Sequence, residues 1–350
     1  MVIDPVLIYR INRFKSFKRG YYSLLILLTL ITSSLFLELW INNRALVVHY
    51  QGTYYFPIFS GFHSDQQFGG QDEFEVNYRD LTQRFRLNGA ENNWLIMPLI
   101  PYNPYESDFD SSAGPPPYAP NLANGHILGT DTLGRDIMSR LFYGFRTVIF
   151  FSLALYILNT IIGVTMGSMM GYFGGWFDLI MQRIVEIWSN LPVLYIIIII
   201  GSFLVPNVYL LVLIFAILNW TGISWLMRAE IFREKRLQYC QAALSIGASH
   251  TRVIFRHLLP NSVVPIIANF PFQMIGGIGA LTSLDYLGYG LPVPTPSWGE
   301  LMKQGQQTFE FAPWIVLSPS VALIVTLLVF AFIGEALRDT LDPKTNSRYY

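Results

Sequence analysis

From residue 187 to residue 227 the chain carries no Asp, Glu, Lys or Arg. A run of that kind leaves few folds open. A helix crosses the hydrocarbon core of a bilayer with roughly 20 mostly apolar residues, and this run is long enough for two, with Pro206-Asn207 as the turn between them. Four further uncharged stretches surround it, at 21–37, 147–175, 258–284 and 311–334. Together they predict six crossings and an all-α polytopic membrane protein. Only 13% of the residues are charged, against ~25% in a soluble domain. Lysine plus arginine balances aspartate plus glutamate at 23 each, which gives no basic field for nucleic acid. The single cysteine, Cys240, excludes an internal disulfide framework and any Cys-based zinc site.

The first stretch reads as a crossing and not as a signal peptide. Its apolar run exceeds an h-region, and Glu38-Leu39-Trp40 offers a membrane border where a cleavage site would need small residues. Arg10, Arg13, Lys15, Lys18 and Arg19 precede it against Asp4 alone. Positive charge in short loops marks the cytoplasmic side, so the N-terminus is expected inside. After six crossings the C-terminus, with Arg338, Lys344 and Arg348, returns there. Residues 228–257 carry six cations against Glu230 and Glu234 and are expected inside. Residues 285–310 carry Lys303 against Asp285, Glu300 and Glu310 and are expected outside.

The organisation that follows has a cytoplasmic N-terminus and first crossing at 1–41, an outer insertion at 42–146, and a core of five crossings at 147–350. Within the insertion, residues 47–56 read as two short strands around Gly52, and Gly114-Pro115-Pro116-Pro117 reads as an extended connector.

The most informative segment lies between the fourth and fifth stretches, at 233–261. Gln241, Ala242, Ala243 and Leu244 favour helix. Gly247 breaks it with a residue that tolerates positive φ. Ser249 then suits an N-cap, Val253, Ile254, His257 and Leu258 form an apolar stripe at helical spacing, and Pro260 is expected to end the second helix. A short helix, a bend and another short helix at the membrane surface would make a rigid elbow of small residues, suited to a groove on a partner.

The spacing Ala-Ala-x-x-x-Gly, followed by Leu259-Pro260-Asn261, resembles the EAA loop of the permeases of ATP-binding cassette (ABC) importers. Gln241, Ala242, Ala243, Gly247, Leu259, Pro260 and Asn261 fall on the motif. Gln241 stands where the family usually has Glu, which keeps a hydrogen bond and loses an ion pair. Leu128–Leu141, the Gly171-Tyr172-Phe173-Gly174-Gly175-Trp176-Phe177-Asp178 run and the Ser283–Gly290 run resemble the dipeptide and oligopeptide C-type group. Arg19-Gly20-Tyr21-Tyr22-Ser23 and Tyr54-Tyr55-Phe56-Pro57 resemble its microcin C and peptide-importing (YejE-type) branch. The resemblance implies a type I importer transmembrane domain that moves peptides, microcin C-like peptides among them, across the bacterial inner membrane. It implies a second permease, ABC ATPase subunits that use ATP and Mg, and a periplasmic peptide-binding protein as partners, with membrane lipid around it. No cofactor is expected on this chain.

Two charged groups and the histidines call for a role. Asp131, Arg135 and Asp136 are expected at the outer surface, as an ion-paired turn or as a contact for the binding protein or a peptide terminus. Asp178, Arg183 and Glu186 are expected near the inner end of the third crossing, as a structural lock or as a gate. The histidines 49, 63, 126, 250 and 257 show no metal-ligand spacing and are expected in caps and surface contacts.

The chain has no phosphate loop, because none of its lysines follows a glycine, so energy has to come from another polypeptide. An ion-driven transporter would place ionisable groups near the midplane, whereas Glu38, Glu186, Glu230 and Glu335 lie near span ends. Nothing resembles a nucleophile–base pair, so the chain reads as a non-catalytic subunit.

Overall fold

The structure is a computed structural model that describes residues 5–87, 92–109 and 114–341. Lys344 and Arg348 lie outside them. The chain divides into two compact units. One gathers the residues up to Leu28, Val148–Pro292 and the residues from Ile324 on; the other combines Thr29–Thr147 with Val293–Leu323.

In chain order the main helices and strands are α1 (Pro5–Ser16), α2 (Lys18–Leu35), β1 (Val47–Tyr50), β2 (Thr53–Tyr55), α3 (Tyr78–Leu87), β3 (Trp94–Ile96), α4 (Ile137–Phe173), α5 (Gly175–Ser189), α6 (Val193–Phe203), α7 (Val208–Asn219), α8 (Thr221–Glu234), α9 (Gln238–Ser245), α10 (Val264–Leu287), α11 (Trp298–Gln307) and α12 (Trp314–Leu341). Helices α4, α10 and α12 are each long and apolar enough to cross a membrane. The pairs α5–α6 and α7–α8, bent by 68° and 44°, raise the number to five by length and composition. Helix α2 opens on Lys18-Arg19 and falls outside that set.

The turn at Pro206-Asn207 is present. Asn207 caps α7, its side chain accepting the Leu210 N–H, which satisfies an orphan donor of the first turn. The 68° bend follows Pro192, which supplies the N-cap of α6; the residue before a proline avoids the helical region. Helix α4 begins at Ile137, well before the apolar run at 147.

Residue size decides how closely helices pack in the first unit. Gly163, Gly167 and Gly171 recur every fourth residue on α4 and face Trp220, which precedes α8, and Ile223, Ser224, Met227, Arg228 and Ile231 of α8. A Cβ on Gly163 would stand 2.7 Å from the Ile223 Cβ, and one on Gly171 2.8 Å from the Arg228 carbonyl oxygen. Small residues in this register let backbones approach in a bilayer, where no hydrophobic effect draws helices together.

In the second unit β1 pairs with β2 across the Gln51-Gly52 turn and with β3 on its other edge, both antiparallel. The hairpin read from 47–56 is therefore the centre of a three-stranded sheet. Val48, Phe68, Val76, Tyr78 and Leu81 form its core, so the pleat turns one face of the short sheet onto α3.

Candidate functional site

The elbow folds from local rules. Helix α9 ends in a Schellman closure: the Ala248 N–H donates to the Ala243 carbonyl at 3.1 Å and the Gly247 N–H to the Leu244 carbonyl at 3.0 Å. Gly247 sits at φ +80°, with nothing within 4 Å of where a Cβ would be. Ser249 caps the next turn by accepting the Arg252 N–H at 3.4 Å.

Beyond it the backbone departs from the expected helix. Residues Val253–Leu258 form a π turn, and Pro260 opens the segment Leu259–Ser262 instead of ending a helix. A proline in a first turn removes an N–H that had no partner anyway, and a single π turn is tolerated inside helical segments.

Val253, Ile254 and Leu258 pack with Cys240, Ala243, Met227, Ile231 and Ile266 into one buried cluster. Ala243 is therefore turned inward and is not on the surface of the knob, while Gln241 and Ala242 are exposed. The tip is Ile246, 87% exposed and next to the bend. Asn261 donates to the His257 carbonyl at 3.1 Å and holds the far end.

Two side chains tie the elbow to the end of α4. The Tyr172 hydroxyl lies 2.6 Å from His250 Nδ1, and Lys235 Nζ donates to the Tyr172 carbonyl. Tyr239 donates to Glu234 Oε2 at 2.6 Å. The helical stripe was legible in the sequence; the ties to Tyr172 were not, because they join residues far apart in the chain.

Asp178, Arg183 and Glu186 do not act together. Asp178 is buried and accepts two bonds from Arg228 of α8, from Nε at 2.6 Å and Nη2 at 2.7 Å. Arg183 pairs with Glu186 at 2.6 Å on an exposed surface, where such a pair contributes about 0–1 kcal/mol. The buried carboxylate is thus paired in an Asp178–Arg228 fork, and Arg228 belongs to a helix and not to a solvated loop.

Asp131, Arg135 and Asp136 are 0%, 2% and 1% exposed, which corrects the expectation that they present a surface to a docked protein or a peptide terminus. The Asp131 carboxylate accepts the N–H of Leu133 and of Arg135 and bonds Arg135 Nε at 2.7 Å. Glu300 of α11 accepts from Arg135 at 3.1 Å and from Arg140 at 2.6 Å. Charges this deep need partners, because an unpaired one would carry its full desolvation cost. Asp136 bonds His126 Nδ1 at 2.9 Å, and Asp108 lies 3.3 Å from the other ring nitrogen. His126 is therefore no surface histidine. Arg140 and Glu300 are partners that the sequence reading missed.

A cavity of about 630 Å³ in the first unit is lined by Gly222, Pro265, Asn269, Phe272 and Arg338. The glycines at 276 and 279 have nothing within 4 Å of a built Cβ, whereas Gly277 packs on Ser152.

Residues 163–347, which hold the elbow, match the family model described as the binding-protein-dependent transport system inner membrane component. This chain belongs to that family. The chain is similar to an inner membrane ABC transporter permease, YejE, of Escherichia coli K12, 38% identical over 97% of this chain and 98% of that one. A peptidoglycan transport system permease of Agrobacterium fabrum is 36% identical over 97% of this chain and 93% of its own. An oligopeptide transport system permease of Bacillus subtilis is 32% identical over 76% and 90%. A methionine ABC transporter structure in an inward-facing conformation overlays with a TM-score of 0.48 at 14% identity, covering 58% of this chain and 97% of that one. The chain is accordingly a multi-pass membrane protein of the ABC permease family, and the reading of the elbow as a permease motif falls inside the matched region.

Proposed function

We propose that this permease carries peptides, including peptides derived from peptidoglycan or resembling microcin C, inward across the bacterial inner membrane. ATP and Mg are used by separate ABC ATPase subunits, a second permease completes the pathway, and a periplasmic binding protein delivers cargo. The observation that carries the coupling reading is the elbow. It is a capped, Gly-bent projection whose apolar side chain at the bend, Ile246, is 87% exposed, while its root is anchored in a buried cluster. A rigid root with an unpartnered apolar tip suits insertion into a groove on another protein. Force applied at Ile246 reaches α4 through Tyr172 and α8 through the shared cluster. ATP then biases one of two arrangements of the spans by binding one state better.

Six crossings complete the topology, with α2 and the turn at Leu37–Trp40 as the first. Both termini lie inside and residues 42–146 outside. The cavity at Asn269 and Arg338 is the face we assign to the pathway. The test is reconstitution with the ATPase and second permease. Uptake of peptide should need ATP and survive a proton uncoupler. A cysteine at Ile246 should crosslink to the ATPase and react with an impermeant thiol reagent only after lysis, while one at Leu122 should react in intact spheroplasts. Uptake without the ATPase, or reversed labelling, would sink the reading.

A further inference from the structure

The second unit holds a cavity of about 790 Å³ built entirely from residues 77–126, within the ~300–1,000 Å³ range of small-ligand sites. Its walls are unlike an ordinary solvated crevice. Gln83 on α3 and Asn77 just before it line the cavity together with Asn121 and Asn124, as do Pro115, Pro117 and Tyr118. Side-chain amides offer a donor and an acceptor at once, which is what the backbone of a short peptide requires.

The floor sets the charge. Arg79 lies 4.5 Å from the centre of the Tyr102 ring, and His126 stacks on that ring at 4.1 Å. Both cations are already committed. Arg79 bonds Glu106 at 2.8 Å and lies 3.6 Å from Asp108, and His126 is held between Asp108 and Asp136. The lining carries Asp80 and Asp108 against Arg79 and His126, and Glu106 and Asp136, outside the lining, already pair with the same two cations. Asp80 is exposed, and its carboxylate makes no hydrogen bond or ion pair among the described residues. The carboxylate of the lining left without a partner among the described residues is Asp80, on α3.

We propose that this cavity is a binding site for the amino-terminal end of a short peptide, its ammonium against Asp80 and Asp108 and its backbone against the amides. The site would hold cargo on the outer unit before entry, and in that respect it rests on the peptide-import reading.

The experiment uses the whole transporter in nanodiscs and an alanine tripeptide bearing a benzophenone and a free amino terminus. Irradiation should label residues 77–83 and 115–126. Unlabelled free-amine tripeptide should compete about tenfold better than its N-acetylated form, because one charge-assisted contact is lost. Asp80→Asn should weaken labelling about fivefold, and Gln83→Trp, which fills the cavity from an exposed position, should abolish it. Equal competition by the acetylated peptide, labelling elsewhere, or labelling that persists in Gln83→Trp overturns the proposal. So does loss of binding-protein docking in Gln83→Trp with no peptide labelling in the parent, which would make the cavity a protein contact. ATP-driven uptake is measured in the same nanodisc-matched proteoliposomes. Uptake without labelling defeats the cavity alone, whereas labelling without ATP-dependent uptake defeats the import reading.

Discussion

The Tyr172 hydroxyl and His250 Nδ1 stand 2.6 Å apart, joining the last turn of α4 to the first residue after the Ser249 cap. Their rings also meet edge to face at 5.6 Å. Tyr172→Phe keeps that packing and removes only the hydrogen bond, a net change of about 1 kcal/mol. The expected outcome is a chain that assembles and supports ATP hydrolysis but moves several-fold less peptide per ATP. An unchanged ratio in the reconstituted transporter would show that the tie transmits nothing.

Gly247 separates backbone strain from surface fit. At φ +80° any L side chain is strained by about 1–2 kcal/mol, yet among the described residues, its two chain neighbours aside, nothing lies within 4 Å of a Cβ there. Gly247→Ala should therefore cost stability modestly, while Gly247→Leu should add loss of ATPase association. Pull-down of the ATPase by the two variants measures the difference, and equal association would remove the elbow from the interface.

The glycine ladder on α4 offers a packing test. Gly167→Leu forces a side chain into the Ser224 backbone and Met227, and overpacking of this kind costs about 1–3 kcal/mol or more. A Cβ on Gly276 meets nothing within 4 Å, so Gly276→Leu serves as the control. Thermal unfolding in detergent should fall clearly for the first and little for the second; equal melting points would contradict the α4–α8 contact.

Removing Glu300 leaves Asp131 as the one carboxylate, among the described residues, beside two buried guanidinium groups. Glu300→Ala is expected to destabilise the chain by about 3–5 kcal/mol, seen as lower yield and earlier proteolysis between residues 104 and 140. Exchanging the exposed Glu186 for Ala should cost under about 1 kcal/mol. Similar losses in the two variants would mean that the burial of Arg135 and Arg140 carries no energetic weight.

His126 predicts a pH dependence. Burial by itself would lower its pKa, but the hydrogen bonds and charges of Asp108 and Asp136 outweigh that and push it up to about 9. Arg79, Glu106 and the stacked Tyr102, whose own hydroxyl burial raises to about 12, complete its surroundings. The folded value exceeds the unfolded one of ~6.5. The stabilisation is therefore complete below pH 6.5 and fades as pH rises through about 9, on the order of 2–3 kcal/mol in all. Proteolysis of residues 115–130 should accelerate between pH 7 and 10 in the parent and not in His126→Gln. A flat profile in the parent would show that the imidazolium contributes nothing.

Sequence alone determined the features that depend on neighbours along the chain. Uncharged apolar runs declare crossings because the bilayer core admits little else. The bend at Gly247, the cap at Ser249, the turn at Asn207 and the hairpin at 47–56 follow from local backbone chemistry. Only the tertiary structure decided what depends on distant partners. Asp131, Arg135 and Asp136 look like a surface turn until Glu300, far along the chain, arrives to neutralise the arginines and permits their burial. Asp178 chooses Arg228 over Arg183 because α5 and α8 bring those two side chains face to face. Ala243 turns inward because Val253 and Leu258 return over it, and Pro260 opens a turn because a π segment precedes it. A charge or a small residue carries no address in the sequence; its partner, and hence its role, is fixed by which segments the fold brings within a few ångströms.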